Sequence, residues 1–260
     1  MGLTLTPMVR NLLFFTIGFF ALQQFVEWFT SAFSLYSFFS ARFQPYQLVT
    51  YIFLHGGLMH IFSNMFGLIM FGPMLERVWG PGRFLAFYLI TGIGAALIHN
   101  GISYYEMTQM QNAANEFLAS PTPSNFADYL YRFDLKLNDP AFLENFDNNP
   151  NNPELLRQSK QVVRASLTEL LDVPTLGASG AVFGIMAAFA LLFPNTELFL
   201  LFFPFPIKAK YFVILYGLFE YYSGIQRNPG DNVAHFAHLG GMLFGFILVK
   251  LWGTQRNRFY

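Results

Sequence analysis

Leu176-Gly177-Ala178-Ser179-Gly180-Ala181-Val182-Phe183-Gly184 opens an apolar run that continues to Phe193. The run approaches the roughly 20 residues that span a bilayer. One serine stands in it between Gly177 and Gly180. Polar side chains at hydrocarbon depth are costly and are usually kept for function. Ser179 therefore reads either as a nucleophile or as a small packing residue of a glycine-rich helix. His238 decides between the two. It sits in a later apolar run, 233–252, ahead of Gly241 and Gly245. A serine and a histidine are the minimum parts of a nucleophile and its base.

The rest of the chain has the composition of a polytopic membrane protein. Of its 260 residues, 54% are hydrophobic and 12% charged, with 34 phenylalanines. A soluble domain carries about 25% charge. No cysteine is present, which excludes disulfides, thiolate metal sites and cysteine nucleophiles. The first apolar run is too long for a signal peptide and reads as a retained helix.

Six apolar segments are predicted, at 12–38, 58–75, 84–104, 176–193, 211–225 and 233–252. Gly80-Pro81-Gly82 marks a tight turn between the second and third, and Asn228-Pro229-Gly230 a loop before the sixth. The fifth segment is short, and the apolar stretch ahead of it is broken by Pro204 and Pro206. The expected fold is an all-α membrane protein, one domain over 1–260, with six transmembrane helices. A polar extramembrane insert, 106–172, lies between helices 3 and 4. It holds ten acidic and five basic residues. Asn152-Pro153-Glu154 is an N-cap followed by proline at the first helical position. The leucines and valines after it keep helical spacing. That amphipathic helix either packs within the insert or lies on the membrane surface.

Lysine and arginine set the orientation. With the N-terminus inside, Arg10, Arg77, Arg83, Lys208, Lys210, Lys250, Arg256 and Arg258 face inward, against only Arg42 and Arg227 in short outer loops. Both termini are then cytoplasmic and the insert faces outward. Helices two, four and six run from outside to inside. His60, Asn64, Ser179 and His238 all fall near their outer starts, about 9 Å down at about 1.5 Å per residue. The glycine pairs 180/184 and 241/245 let two helices approach closely, bringing the serine seam to the histidine seam.

These pieces together resemble the rhomboid family of intramembrane serine proteases. The resemblance rests on Gly177-Ala178-Ser179-Gly180 with Gly184, Ala237-His238 with Gly241 and Gly245, His55…His60-Ile61-Phe62-Ser63-Asn64, and Glu76-Arg77-Val78-Trp79-Gly80. It covers the helical core and leaves the insert unaccounted for. It implies a Ser–His dyad, with Ser179 as nucleophile and His238 as base and then acid. It also implies an oxyanion site built from Asn64, His60 and the Ser179 backbone N–H. Gly177, Gly180, Gly184, Gly241, Gly245, His55 and His235 would support these groups. The implied reaction is cleavage of transmembrane segments of membrane-protein substrates in the lipid bilayer. No cofactor, no metal and no nucleic-acid partner are expected. The family lacks a third triad member, and no acidic residue adjoins His238 in sequence.

Tyr46-Gln47 stands where family members commonly carry an aromatic–arginine pair. Glu27 and Glu220 lie within apolar segments and read as packing or interface groups, and His99 reads as a packing histidine. Loop 223–232 reads as a mobile cap. Histidine-box oxidases are disfavoured because His55/His60 and His235/His238 lack inward acids, and no His-Glu-x-x-His exists. A catalytically silent rhomboid-like chaperone or client-binding protein is the alternative; retention of both Ser179 and His238 argues against it. With no organelle presequence read, a bacterial inner membrane is the expected location.

Overall fold

A computed structural model of the chain describes residues 4–137, 139–199, 205–226 and 233–252. They are mostly helical and divide into two compact units, 1–35, 43–100 and 174–260 in one, 36–42 and 101–173 in the other.

The first unit is a helical membrane bundle. Helix α1, Pro7–Phe25, ends at Val26, whose backbone is extended, and α2, Glu27–Phe33, follows. The single first run expected at 12–38 is therefore two helices, with Glu27 moved to the favourable first turn of the second. Thr6 gives α1 no side-chain cap. Instead the buried carboxylate of Glu76 accepts hydrogen bonds from the backbone N–H of Met8 and Val9, each at 2.9 Å, and from the Thr6 hydroxyl. Those N–H groups have no partner inside the helix, and an anion at a helix N-terminus is stabilising. A short helix α3, Gln47–Thr50, leads through a 3-10 turn, Tyr51–Phe53, to α4, Leu58–Trp79. Gly80 closes α4 at φ +78°, and Pro81 opens α5, Pro81–Ala119, with no intervening loop. This is the glycine-stop, proline-start asymmetry of helix ends.

The second unit takes up α5 beyond Asn100. The third segment does not end near Tyr104; the helix runs on, and Met110, Ala113, Ala114 and Phe117 carry a new apolar face. Helices α6, Pro123–Arg132, α7, Phe142–Asn148, and α8, Pro153–Leu171, complete the unit. Phe117, Phe126, Phe146 and Val163 are fully or almost fully buried in its core. Asn152 caps α8 by accepting from Glu154 N at 2.9 Å. Leu155, Leu156, Val162 and Leu167 of α8 pack against that core, so this face is spent within the unit.

Helix α9, Ser179–Leu192, lies at the centre of the first unit, against α4, α10 and α11. Gly180 to Phe189 are all buried, and an all-apolar helix belongs in such a place. It starts three residues later than the apolar run because Gly177 has φ +132°, a conformation open to glycine and not helical. Two short strands, β1 (Glu197–Leu198) and β2 (Ile207–Lys208), pair antiparallel before α10, Ala209–Gln226. Helix α11 is His235–Trp252. Its glycines meet those of α9 backbone to backbone. A Cβ at Gly241 would strike the Gly180 carbonyl, and one at Gly245 would come 2.6 Å from the Gly184 oxygen.

Among the described residues, α1, α4, α5 and α11 are long and apolar enough to cross a membrane; α9 is apolar but has 14 residues, and α10 is not among the four. Residues 227–232 of the expected cap and 200–204 ahead of α10 lie outside the described residues, as do Arg256 and Arg258.

Candidate active site

Ser179 is the first residue of α9 and His238 the fourth of α11. The close glycine seam places their side chains in contact, with Ser179 Oγ 2.8 Å from His238 Nε2. The His238 ring stacks on Phe183, one turn along α9, with centroids 4.2 Å apart and planes 8° from parallel. Phe183 fixes the imidazole plane while the hydrogen bonds fix its rotation in that plane. Ser179 is half-buried and His238 buried.

His60, the third residue of α4, approaches from the other side. Its Nδ1 accepts a hydrogen bond from Gly56 N at 3.3 Å. Its Nε2 lies 2.7 Å, and Ser179 Oγ 3.8 Å, from where a Cβ at Gly177 would stand. Gly177 thus has two reasons to be glycine, its φ and the imidazole beside it. Asn64, one turn further along α4, is buried, and its Nδ2 has no hydrogen-bond partner among the described residues. A buried unpaired donor costs about 1–3 kcal/mol, so this amide is a donor held without an acceptor. His55 is buried beside His60, its ring centroid 5.0 Å away. The His55 backbone is tied to α1, with N accepted by Gln23 Oε1 at 2.9 Å. His99 Nε2 pairs with Thr175 Oγ1 at 3.0 Å. Gln47 is buried and braces the first loop, its Nε2 donating to Ala32 O at 3.2 Å.

Glu220 corrects the sequence reading. It is not a packing group at an interface. Its Oε2 is 2.8 Å from His238 Nδ1 and 2.6 Å from His235 Nδ1, and it is 2% exposed. Two signals pointed to it. A lone carboxylate within an apolar segment is a functional candidate by default. In addition, α10 and α11 are consecutive helices, so residues near the end of one and the start of the other lie side by side. One ligand atom from each of Glu220, His235 and His238 lies within 4.8 Å of the other two, as metal ligands do. Two ligands about 2.1 Å from an ion at a tetrahedral angle stand about 3.4 Å apart. The observed separations are shorter and are hydrogen-bond lengths.

The class of protein this fold and site define is a helical membrane protein with a serine–histidine pair inside the bundle. The Rhomboid domain pattern matches residues 42–113 and 157–254, a span that holds His55, His60, Asn64, Ser179, Glu220 and His238 and skips 114–156 of the second unit. The chain belongs to the rhomboid family. It is 32% identical over 228 residues to an uncharacterized mitochondrial rhomboid protein of Schizosaccharomyces pombe, covering 84% of this chain and 54% of that relative. RHOMBOID-like protein 12, mitochondrial, of Arabidopsis thaliana is 28% identical over 199 residues, 75% of this chain and 42% of its own. Rhomboid protein 1, mitochondrial, of Saccharomyces cerevisiae is 36% identical over 89 residues, 33% of this chain and 25% of its own. The chain thus spans about half the length of the first of these relatives or less. All three are named mitochondrial, and the expectation of a bacterial inner membrane has no support among them.

Proposed function

We propose that this chain is an intramembrane serine endopeptidase acting on transmembrane segments of other membrane proteins. The observation that carries the reading is the 2.8 Å contact between Ser179 Oγ and His238 Nε2 inside an apolar bundle. His238 Nε2 takes the Ser179 proton as Oγ attacks the scissile carbonyl carbon. The carbonyl oxygen becomes an oxyanion, and the C–N bond then breaks as His238 returns the proton to the leaving amine. Water attacks the resulting ester by the same route and frees Ser179.

The oxyanion would find three donors. Ser179 begins α9, so its N–H precedes the first intrahelical bond, which runs from Val182 N to Ala178 O. Asn64 Nδ2 is buried and unpaired. His60 presents Nε2 beside Gly177. Losing one such donor typically costs about 10²–10³ in rate.

Six crossings are proposed, with α9 entering short because Gly177 starts it below the membrane surface, and with both termini on one side. At about 1.5 Å per residue, 14 residues reach about 21 Å of a hydrocarbon layer about 30 Å thick. The relatives' names favour a mitochondrial membrane over a bacterial one. Proteolysis of a single-span substrate in liposomes tests the reading. Wild type is expected to cleave, and Ser179→Ala and His238→Ala are not. Cleavage that survives Ser179→Ala removes the mechanism.

A further inference from the structure

We infer that Glu220 is a third member of this site, a positioning residue that sets the tautomer of His238, and that His235 in turn holds Glu220. The inference rests on the serine–histidine reading above. An ionised carboxylate only accepts hydrogen bonds. Both imidazoles reach Glu220 Oε2 through Nδ1, at 2.8 Å for His238 and 2.6 Å for His235, so both carry their proton there. His238 Nε2 is then left with a lone pair, and that atom faces the Ser179 hydroxyl. This is the one neutral tautomer in which His238 can act as base. When it takes the serine proton, the carboxylate is already in contact with the cation that forms.

The surroundings support a dedicated role. Helix α10 buries only Ala209, Val213 and Glu220. A buried charge without partners costs several kcal/mol, and among the described residues the two histidines are its partners. They are three residues apart on α11, hence on one face, and converge on a single oxygen. His235 approaches the same oxygen as His238, which keeps the carboxylate aimed. The pairing joins the helix carrying the base to the helix before it.

The test uses the full chain in liposomes and reads kcat and KM on the single-span substrate for wild type, Glu220→Gln and Glu220→Ala. Glu220→Gln keeps the shape and one acceptor but removes the charge. The expected result is kcat lowered about 10-fold or more for Gln and about 10²–10⁴-fold for Ala, with KM within about 2-fold. Both variants keeping kcat within about 3-fold of wild type, while Ser179→Ala is inactive, would overturn the inference and leave the serine–histidine reading standing. Nitrogen NMR of histidine-labelled wild type reads the tautomer without depending on how the variants fold. His238, assigned by its loss in His238→Gln, is expected to be protonated at Nδ1; protonation at Nε2 overturns the inference. An inactive wild type with Ser179 unreactive would instead sink the serine–histidine reading.

Discussion

Helices α9 and α10 are neighbours built on opposite plans. In α9 ten consecutive residues, Gly180 to Phe189, are buried. In α10 Tyr211, Ile214, Leu215, Leu218, Phe219, Tyr221, Tyr222 and Ile225 are all more than half exposed, as suits a face turned to lipid. In a bilayer, apolar area alone does not hold helices together, because lipid tails are as apolar as leucine. Helix α9 is held by close approach, glycine backbone on glycine backbone. Helix α10 is held by a narrow stripe, Ala209, Val213, Tyr216, Gly217 and Glu220, whose last member is a buried carboxylate with two histidine partners. Ser179, the proposed nucleophile, sits on the enclosed helix, and Glu220, the proposed positioning residue for its base, sits on the exposed one.

Substitutions should break this contrast unevenly. The largest loss is expected for Gly241→Val, which sets a side chain against the Gly180 carbonyl. Two backbones have little room to move, so about 3 kcal/mol or more of stability should disappear, seen as a lowered melting temperature or no folded protein in detergent. Gly177→Ala comes next. It would place a methyl 2.7 Å from His60 at a backbone angle that disfavours side chains. Its expected signature is kcat reduced about 10²-fold, the size of a lost oxyanion donor, with a melting temperature lowered less than by Gly241→Val. A wild-type rate for Gly177→Ala would show that His60 has no part in the chemistry. Leu215→Ala on the lipid face of α10 should change stability by about 0.5 kcal/mol or less; a loss near that of Gly241→Val would show that this face is covered.

The smallest effect concerns a charge pair that contrasts with Glu220. Hydrogen bonds from Arg157, then Gln158, hold the exposed Glu154 carboxyl down to about 2. A carboxyl lowered on folding contributes stability above its unfolded value, and loses it as pH falls through the folded one. Solvent screening keeps that contribution small. Melting temperature is therefore expected to stay flat for Glu154→Gln at pH 7. Any share of the acid-induced loss owed to this pair should begin only below about pH 4.5. A clear drop at neutral pH would mean that the pair is not screened.

Much of the site was legible because polar residues in apolar runs stand out. Ser179, His60, Asn64 and His238 lie within the first two turns of their helices, and the glycine pairs mark which faces meet. Glu220 carries the same signal, and what the sequence alone leaves open is which side chains of the next helix it meets. Helix ends were legible where a residue dictates them, as at Gly80-Pro81 and Asn152-Pro153. They were not legible at Val26, which splits the first run with no glycine or proline to announce it. Nor was the continuation of α5 past the apolar run visible while only membrane-length hydrophobicity was counted. Met110, Ala113, Ala114 and Phe117 keep the helical period at lower hydropathy.

The most direct measurement is active-site labelling with a fluorophosphonate, followed by mapping of the modified residue. A serine is made nucleophilic by its base, so the account predicts that wild type is labelled at Ser179 and that labelling is lost in His238→Ala while the protein stays folded. Equal labelling of Ser179 without His238, or none in folded wild type, would contradict it.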